Sequence, residues 1–361
     1  TMTVTLAVTN GTLTLAPGTG VTLSGNNSAS VTLSGTLSAI NTLLATANAV
    51  TYVPMAHYNG SAALTMTTSD GTLSDTDTVG ITVTAVNDAP VNTVPVAQST
   101  NEDTNKVITG LSITDVDAGS STMTVTLGMT NGTLTLLSGA GVTITGNNST
   151  SVTLSGTVTN INALLATANA VTYVPTANYN GSATLTMTTN DGTLSDADTV
   201  TVTVTSVNDA PTGTNATITL AEDGSKTFAA SDFGFADAAD SPANSLSAVI
   251  ITTLPTAGTL TLSGTAVTLN QSIAVANLGS LVYSPAQNAN GNAYATIGFK
   301  VQDNGGTANG GADTSVNANT LTFNVSGVND APVNTVPGAQ TAIEDTPLTI
   351  TGIQIADVDA G

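Results

Sequence analysis

The sequence predicts an all-β protein, a linear array of antiparallel β-sandwich domains with one short helix in each. Three observations carry that expectation. Apolar residues alternate with Thr and Ser over short segments, the period of a strand with one buried face. Asn-Gly and Gly-rich turns separate those segments. The pentapeptide Val-Asn-Asp-Ala-Pro recurs at 86–90, 207–211 and 328–332, a step of 121 residues each time.

The step is a domain length. Residues 1–88 align without a gap onto 122–209, and 68 of the 88 positions are identical. Solenoid repeats are much shorter, about 20–50 residues. The expected units are 1–88, a first sandwich without its opening strands; 89–209, a complete second; 210–330, a divergent third; and 331–361, the opening strands of a next repeat. In the third unit "LVYSPAQNANGN" (281–292) stands where the first has "VTYVPMAHYNGS" (50–61).

Within the first unit, Met2–Leu6, Thr12–Leu15, Val31–Leu33 and Thr78–Val83 alternate strictly and read as half-buried strands. Asn10-Gly11, Gly18–Gly20, Gly25-Asn26-Asn27 and Asn59-Gly60 read as turns. One stretch breaks the alternation. "SAINTLLATAN" (38–48) spaces Ile40, Leu43, Leu44 and Ala47 at helical intervals, which predicts a short helix across one end.

Hydrophobic residues make up 40% of the chain but aromatics only 3%, so Val, Leu, Ile and Ala must fill the cores. The absence of Cys excludes disulfides and thiolate metal sites. A single His, His57, argues against His-based catalysis, and three basic residues offer no triad or oxyanion partner. No enzyme activity is expected. No apolar run is long enough to insert directly in a membrane as a helix.

The net charge is −21, from 24 Asp+Glu against 3 Lys+Arg. Nucleic acid and anionic membrane surfaces need Lys and Arg, so neither is an expected partner. Cations remain. The 24 carboxylates fall in three clusters, each straddling one Val-Asn-Asp-Ala-Pro. The first holds Asp70, Asp75, Asp77, Asn87-Asp88, Glu102-Asp103, Asp115 and Asp117. The second holds Asp191, Asp196, Asp198, Asn208-Asp209, Glu222-Asp223, Asp232, Asp237 and Asp240. The third holds Asp303, Asp313, Asn329-Asp330, Glu344-Asp345, Asp357 and Asp359.

Carboxylates spread for solubility would be scattered over all loops, and here loop after loop has none. Ca²⁺ takes about six to eight oxygens from carboxylates, amides and backbone carbonyls. The Asp-x-Asp pairs suit a loop whose alternate residues turn inward. All these residues except Asp232 are therefore candidate calcium ligands. The expected arrangement has Asp70–Asp88 facing an ion from the preceding domain and Glu102–Asp117 from the following one. Pro90 ends a strand and Pro95 stiffens the entry to the next domain. An ion held from both sides would lock the joint.

The linker "VNDAP", followed by Glu-Asp-Thr and Asp-x-Asp-Ala-Gly, resembles the cadherin-like and VCBS-type tandem repeats of large secreted bacterial adhesins. The same order is similar to cadherins, where an Asp-x-Asn-Asp-Asn-Ala-Pro linker, a Glu and an Asp-x-Asp ligate calcium. The resemblance implies Ig- or cadherin-like sandwiches and a calcium-rigidified extracellular stalk on a bacterial surface, exported by type I secretion, with a role in adhesion and biofilm. It supports Asn87, Asp88, Glu102, Asp115 and Asp117 as ligands, with their copies at the other joints. Ala85 and Ala89 depart from the cadherin linker, and "FADAAD" (235–240) replaces "TDVDAG" in the third unit, so ion numbers are expected to differ between joints.

The chain starts in mid-pattern at Thr1 and reads as a window of a longer array. The alternative is a fibre in which 331–361 completes the first domain of a neighbouring copy, head to tail. A carbohydrate-binding array is a third reading, with a glycan or other surface target elsewhere. It needs exposed aromatic platforms, and the chain has five Phe, six Tyr and no Trp.

Overall fold

The computed structural model describes residues 1–359, and the last two residues of the predicted segment 331–361 lie outside the described residues. The expected all-β architecture is present, but the sheets are not purely antiparallel: Gln98–Asn101 and Ala216–Ala221 each join their sheet in parallel. Repeat 2 is the most complete. Its larger sheet runs Val142–Thr145, Ser151–Gly156, Met123–Met129, Gly181–Asn190, Ser195–Thr205, Gln98–Asn101 in spatial order. The facing sheet is Lys106–Ile108, Val171–Pro175, Gly132–Leu136. A further pair joins Val91–Thr93 to Ser112–Thr114.

Alternation produces this packing directly. Met123, Val125, Leu127 and Met129 point inward from one strand, while the Thr between them stay half-exposed. They meet Leu134, Val152, Leu154, Leu185, Met187 and Val202 in one core. Fully burying such a side chain contributes roughly 1.5–3 kcal/mol. Tyr173 is wholly buried, and its hydroxyl donates to the Asn131 carbonyl at 2.8 Å. Gly132 passes so close to the Tyr173 ring and the Val174 carbonyl that a Cβ would overlap both, which explains the Asn-Gly turn there.

The helix expected over 38–48 is present but shorter, Leu37–Leu44, and recurs as Val158–Leu165; Ala47 lies exposed in the turn that follows. Thr36 and Thr157 cap them, accepting from Ala39 and Asn160 amides. Asn162, on the second helix, stitches it to an opening strand. Its side chain accepts from the Ile113 amide at 2.9 Å and donates to the Ile113 carbonyl at 2.8 Å.

Repeat 3 departs from the expectation of one helix per unit. It has 3-10 turns, at Ala230–Phe233, Val275–Ser280 and Ala308–Gly310. Its core is aromatic, with Phe233 against Phe299 at 5.0 Å and Tyr283 stacked on Phe323 at 4.1 Å.

Repeat 1 has one five-stranded sheet ending in the edge strand Ser74–Val83, and a two-stranded sheet of Gly11–Leu15 and Val50–Pro54. After Pro332, the strands Val333–Thr335 and Gln354–Ala356 pair only with each other.

Candidate metal centres

Strand direction decides which carboxylates meet. Gln98–Asn101 runs parallel to Val202–Thr205 and so carries Glu102 to the downstream end of repeat 2. Gly181–Asn190 and Ser195–Thr205 form a hairpin whose turn holds Asp191 at the upstream end. A ten-residue strand spans about 33 Å. Asp191 and Glu102 therefore sit at opposite ends of one domain.

This corrects the arrangement expected from sequence. Glu102-Asp103 does not face Asp70–Asp88 across the first joint; it lies at the second. Asp191 and Asp196, grouped by sequence with the second joint, lie at the first. By the same register Asp70, Asp75 and Asp77 lie at the far end of repeat 1 from Asp88. Asp75/Asp77 and Asp196/Asp198 also sit within strands rather than in loops. They continue the inward face of those strands out beyond the core.

At the first joint, Asp88 donates its amide to Asp117 Oδ2 at 3.1 Å and holds His57 Nδ1 at 2.9 Å through its carboxylate. Asn87 donates to Asp191 Oδ2 at 2.6 Å, and the Asn92 amide to Asp196 Oδ2 at 2.8 Å. Asp115 Oδ1 accepts from the amides of Asp117 and Ala118. Its Oδ2 is buried with no donor.

The second joint is the most enclosed. Glu102 and Asp303 are each 3% exposed, and Asp237 and Asp240 are buried too. The Val207 amide donates to Glu102 Oε1, and the Asp209 amide to Asp240 Oδ2 at 3.1 Å. Asn208 donates to Asp303 Oδ1 at 3.1 Å and to the Ala312 carbonyl at 2.8 Å. Asp103 Oδ1 accepts from the Asn178 amide. One oxygen each of Asp209, Asp237 and Asp303 is buried without a donor.

The third joint repeats the plan. Val328 donates its amide to Glu222 Oε1 at 2.7 Å, Asn288 its amide to Asp223 Oδ1 at 3.2 Å, and Asp330 its amide to Asp359. Asn329 donates to the Asp330 carbonyl, and Asp357 Oδ1 accepts from the Asp359 amide. Asp330 Oδ2 is another buried oxygen without a donor.

Five of the six buried side-chain polar atoms left without a partner among the described residues are therefore carboxylate oxygens at the joints; the sixth is the Thr252 hydroxyl. Burial raises the pKa of Asp115, Asp209, Asp240, Asp303 and Asp330, with neighbouring carboxylates adding to it. Asp240 is pushed up to about 6. Asp70 behaves oppositely: Leu73 and Thr72 donate to it in a tight turn and lower it to about 2. Asp191, in the matching turn, is lowered chiefly by the Leu194 amide and the Asn87 side chain.

The remaining candidates are otherwise engaged or more exposed, although Asp313 lies beside Asp303, whose amide donates to the Asp313 carbonyl at 2.9 Å. Asp313 is occupied by Gln302 and Thr314. Asp77 sits opposite Met66 and Asp198 opposite Met187 in their hairpins, two residues along the strand from Asp75 and Asp196 and on the same face. Glu344 and Asp345 are exposed. Asp232 pairs with Lys226 at 2.9 Å. Two residues that the sequence reading passed over are Asn244 and Asn290. Asn244 donates to Asn208 Oδ1 at 2.5 Å and its amide to Asp237 Oδ2, and Asn290 donates to Glu222 Oε2 at 3.1 Å. Asn290 matches Asn59 and Asn180 of the repeat motif, a recurrence that could have flagged it.

Among the described residues no three Asp, Glu or His side chains already converge on one point as a metal cage. The donor set nonetheless fits a hard divalent cation: carboxylate and amide oxygens, several of them sealed from water with no hydrogen to accept.

No family model and no curated protein matches the chain. Solved structures match it weakly. Human mucin-like protocadherin EC1-2 is 18% identical, with 66% of this chain and 98% of that chain covered and a TM-score of 0.34. Mouse protocadherin-24 EC1-3 is 11% identical, covering 87% and 91%, also at 0.34. An endo-fucoidan hydrolase of glycoside hydrolase family 107 is 17% identical at a TM-score of 0.21; 88% of this chain aligns, spanning only 39% of that one. No residue role is carried over from them.

Proposed function

We propose that this chain is a segment of a calcium-rigidified extracellular stalk of a bacterial adhesin, with a structural role in adhesion. The observation that carries the reading is the set of orphaned, buried carboxylate oxygens, which recurs at each joint and almost nowhere else. A buried acceptor without a donor costs about 1–3 kcal/mol, more if charged. A repeated arrangement of this kind makes sense when a cation meets those oxygens.

The ligands at the second joint would be Glu102, Asp103, Asp209, Asp237, Asp240 and Asp303, with Asn208 placing the linker. At the first they would be Asp88, Asp115, Asp117, Asp191 and Asp196, with Asn87. At the third they would be Glu222, Asp223, Asp330, Asp357 and Asp359, with Asn329. A bound ion supplies positive charge between two domains. The chain's own residues bring those ligands to the joint: linker amides donate to carboxylates of both neighbours, Val207 to Glu102 and Asp209 to Asp240.

Type I secretion, bacterial surface location and biofilm rest on the sequence resemblance. No helix of the described residues is long and apolar enough to cross a membrane. A glycan-binding array gains no support, since no aromatic residue among those described is exposed. Calorimetric titration with Ca²⁺ and Mg²⁺ tests the proposal. Saturable calcium binding that falls on Asp209→Asn with Asp303→Asn is expected; heat no greater than the buffer blank would refute it.

A further inference from the structure

The second joint differs from the first in one loop of the repeat that follows it. In repeat 2 only Gly192 and Thr193 stand between Asp191 and Leu194, and the Asp191 amide donates to the Leu194 carbonyl at 3.2 Å. In repeat 3 the matching bond runs from the Asp303 amide to the Asp313 carbonyl at 2.9 Å, with residues 304–312 between them. Nine residues take the place of two. Ordering the added residues costs conformational entropy, so contacts must offset it.

Those contacts go to the linker. At both joints the linker Asn donates to the carboxylate that opens the turn, Asn87 to Asp191 and Asn208 to Asp303. At the second joint the longer loop adds a two-way hold. The Ala312 amide donates to the Asn208 carbonyl at 2.8 Å, and the Asn208 side chain donates to the Ala312 carbonyl at 2.8 Å. Asn244 donates to Asn208 Oδ1 at 2.5 Å, so both ends of that side-chain amide are engaged. The start of the loop is tied down as well, since Asn304 Oδ1 accepts from the Ser245 amide at 2.8 Å.

The approach is close. A Cβ on Gly305 would overlap the Asn208 side-chain amide, and one on Gly311 would stand 3.0 Å from the Asn208 carbonyl oxygen. Glycine at these two positions lets the loop lie against the linker. Beside it, Asn180 of repeat 2 donates to the Ser241 carbonyl of repeat 3 at 2.7 Å, a direct bond between the two domains.

The bonds to Ala312, Asn244, Asn304 and Ser241 join neutral groups. None uses a carboxylate oxygen, so none competes with a cation or needs one. We infer that loop 304–312 is a clasp that keeps repeats 2 and 3 in one fixed relation when cations are withdrawn. The first joint, with its two-residue turn, depends on the cation instead. That second statement rests on the function proposed above; the clasp does not. In chelator the chain then bends at the first joint, and repeats 2 and 3 move as one body.

Spin-label distance measurement on the full chain, in calcium and in chelator, tests the inference. The chain has no Cys, so paired Thr→Cys substitutions place labels at single sites. The exposed pair Thr143 and Thr265 reports the second joint, and the exposed pair Thr22 and Thr143 the first. The Thr143–Thr265 pair is expected to keep one narrow distance in both buffers. Two variants are expected to lose it in chelator: replacement of 304–312 by Gly-Thr, the turn of repeat 2, and Gly305→Val, which pushes the loop off Asn208. The amides of Ala295–Val301 should stay protected from hydrogen exchange in both variants, which separates a lost clasp from a lost fold. A wild-type distance that broadens in chelator overturns the inference, as does a folded variant of either kind that keeps the wild-type distance there. A Thr22–Thr143 distance that is the same in both buffers counts against the calcium reading alone.

Discussion

The backbone amide of Val207 donates to Glu102 Oε1 at 2.5 Å, although 105 residues separate them. The relationship recurs between Val328 and Glu222 at 2.7 Å. In each case a carboxylate from the beginning of a domain grips the first residue of the linker that leaves it. Glu102 is buried, so its bond to Val207 is charge-assisted and shielded from water. Glu102→Ala should destabilise repeat 2 by about 1.5–3 kcal/mol, the worth of a hydrogen bond to a charged group. Denaturation with urea, followed on a chain ending at Pro211, checks this; a loss near zero would mean that water replaces Glu102 at no cost.

Asp303 offers a test in which the sign changes with the ion. Without calcium its unpartnered Oδ2 and buried charge are a liability. Asp303→Asn should then raise stability, by roughly 1–3 kcal/mol. In saturating calcium it should lower stability, because a ligand is lost. Thermal melts of both proteins in chelator and in calcium measure this, and the same sign in both buffers would count against an ion at that joint.

The carboxylate pKa shifts set an unusual pH dependence for the ion-free protein. A group raised in the folded state contributes stability that is complete below its unfolded value and lost as pH rises through its folded value. For Asp240 the window runs from 3.8 up to about 6, and Asp115, Asp209, Asp303 and Asp330 act in the same direction. Asp70 opposes them only below its unfolded value, since its stabilisation is lost as pH falls from 3.8 toward about 2. In chelator the melting temperature should therefore be higher at pH 5 than at pH 7. Calcium should reverse the order, as protons compete for the same oxygens. A chelated protein that melts lower at pH 5 contradicts these shifts.

Near-identical strands in repeats 1 and 2 should differ in stability. Met187→Ala empties a fully buried site and should cost about 2–5 kcal/mol. Met66→Ala removes a side chain already half in water and should cost less than half as much in the monomer. Hydrogen exchange of the amides in Gly60–Ser69 and Gly181–Asn190 reads both. Equal protection in the two strands of a monomeric sample would show that the exposure difference has no energetic meaning.

Much of the fold was legible because alternation and turn chemistry are local. Thr-Val-Thr-Leu can bury only one face, and Ile40, Leu43 and Leu44 at helical spacing mark the one segment that breaks that rule. The 3-10 turns of repeat 3 were not legible, since segments of three to six residues such as Ala230–Phe233 are too short to show a helical period. The candidate site was half legible. Residue types and their link to the Asn-Asp linker could be read, but their grouping could not. Glu102 lies 14 residues after Asp88 and meets Val207 instead, because a parallel strand carries it the length of the domain. Sequence proximity misleads wherever one strand separates two ends of a sandwich. Asn244 was missed because its role depends on Asn208, which only the folded joint brings near.

If cations at the joints hold neighbouring repeats in fixed relation, the shape of the chain must follow calcium. Small-angle scattering of the chain, extrapolated to infinite dilution and titrated with calcium from a chelated start, is the direct test. Circular dichroism on the same samples monitors folding. A longer, narrower distance distribution with a sharp end is expected in calcium, and a broad, flexible one in chelator, with the β-signal intact in both. A distribution that is the same in both buffers would contradict it.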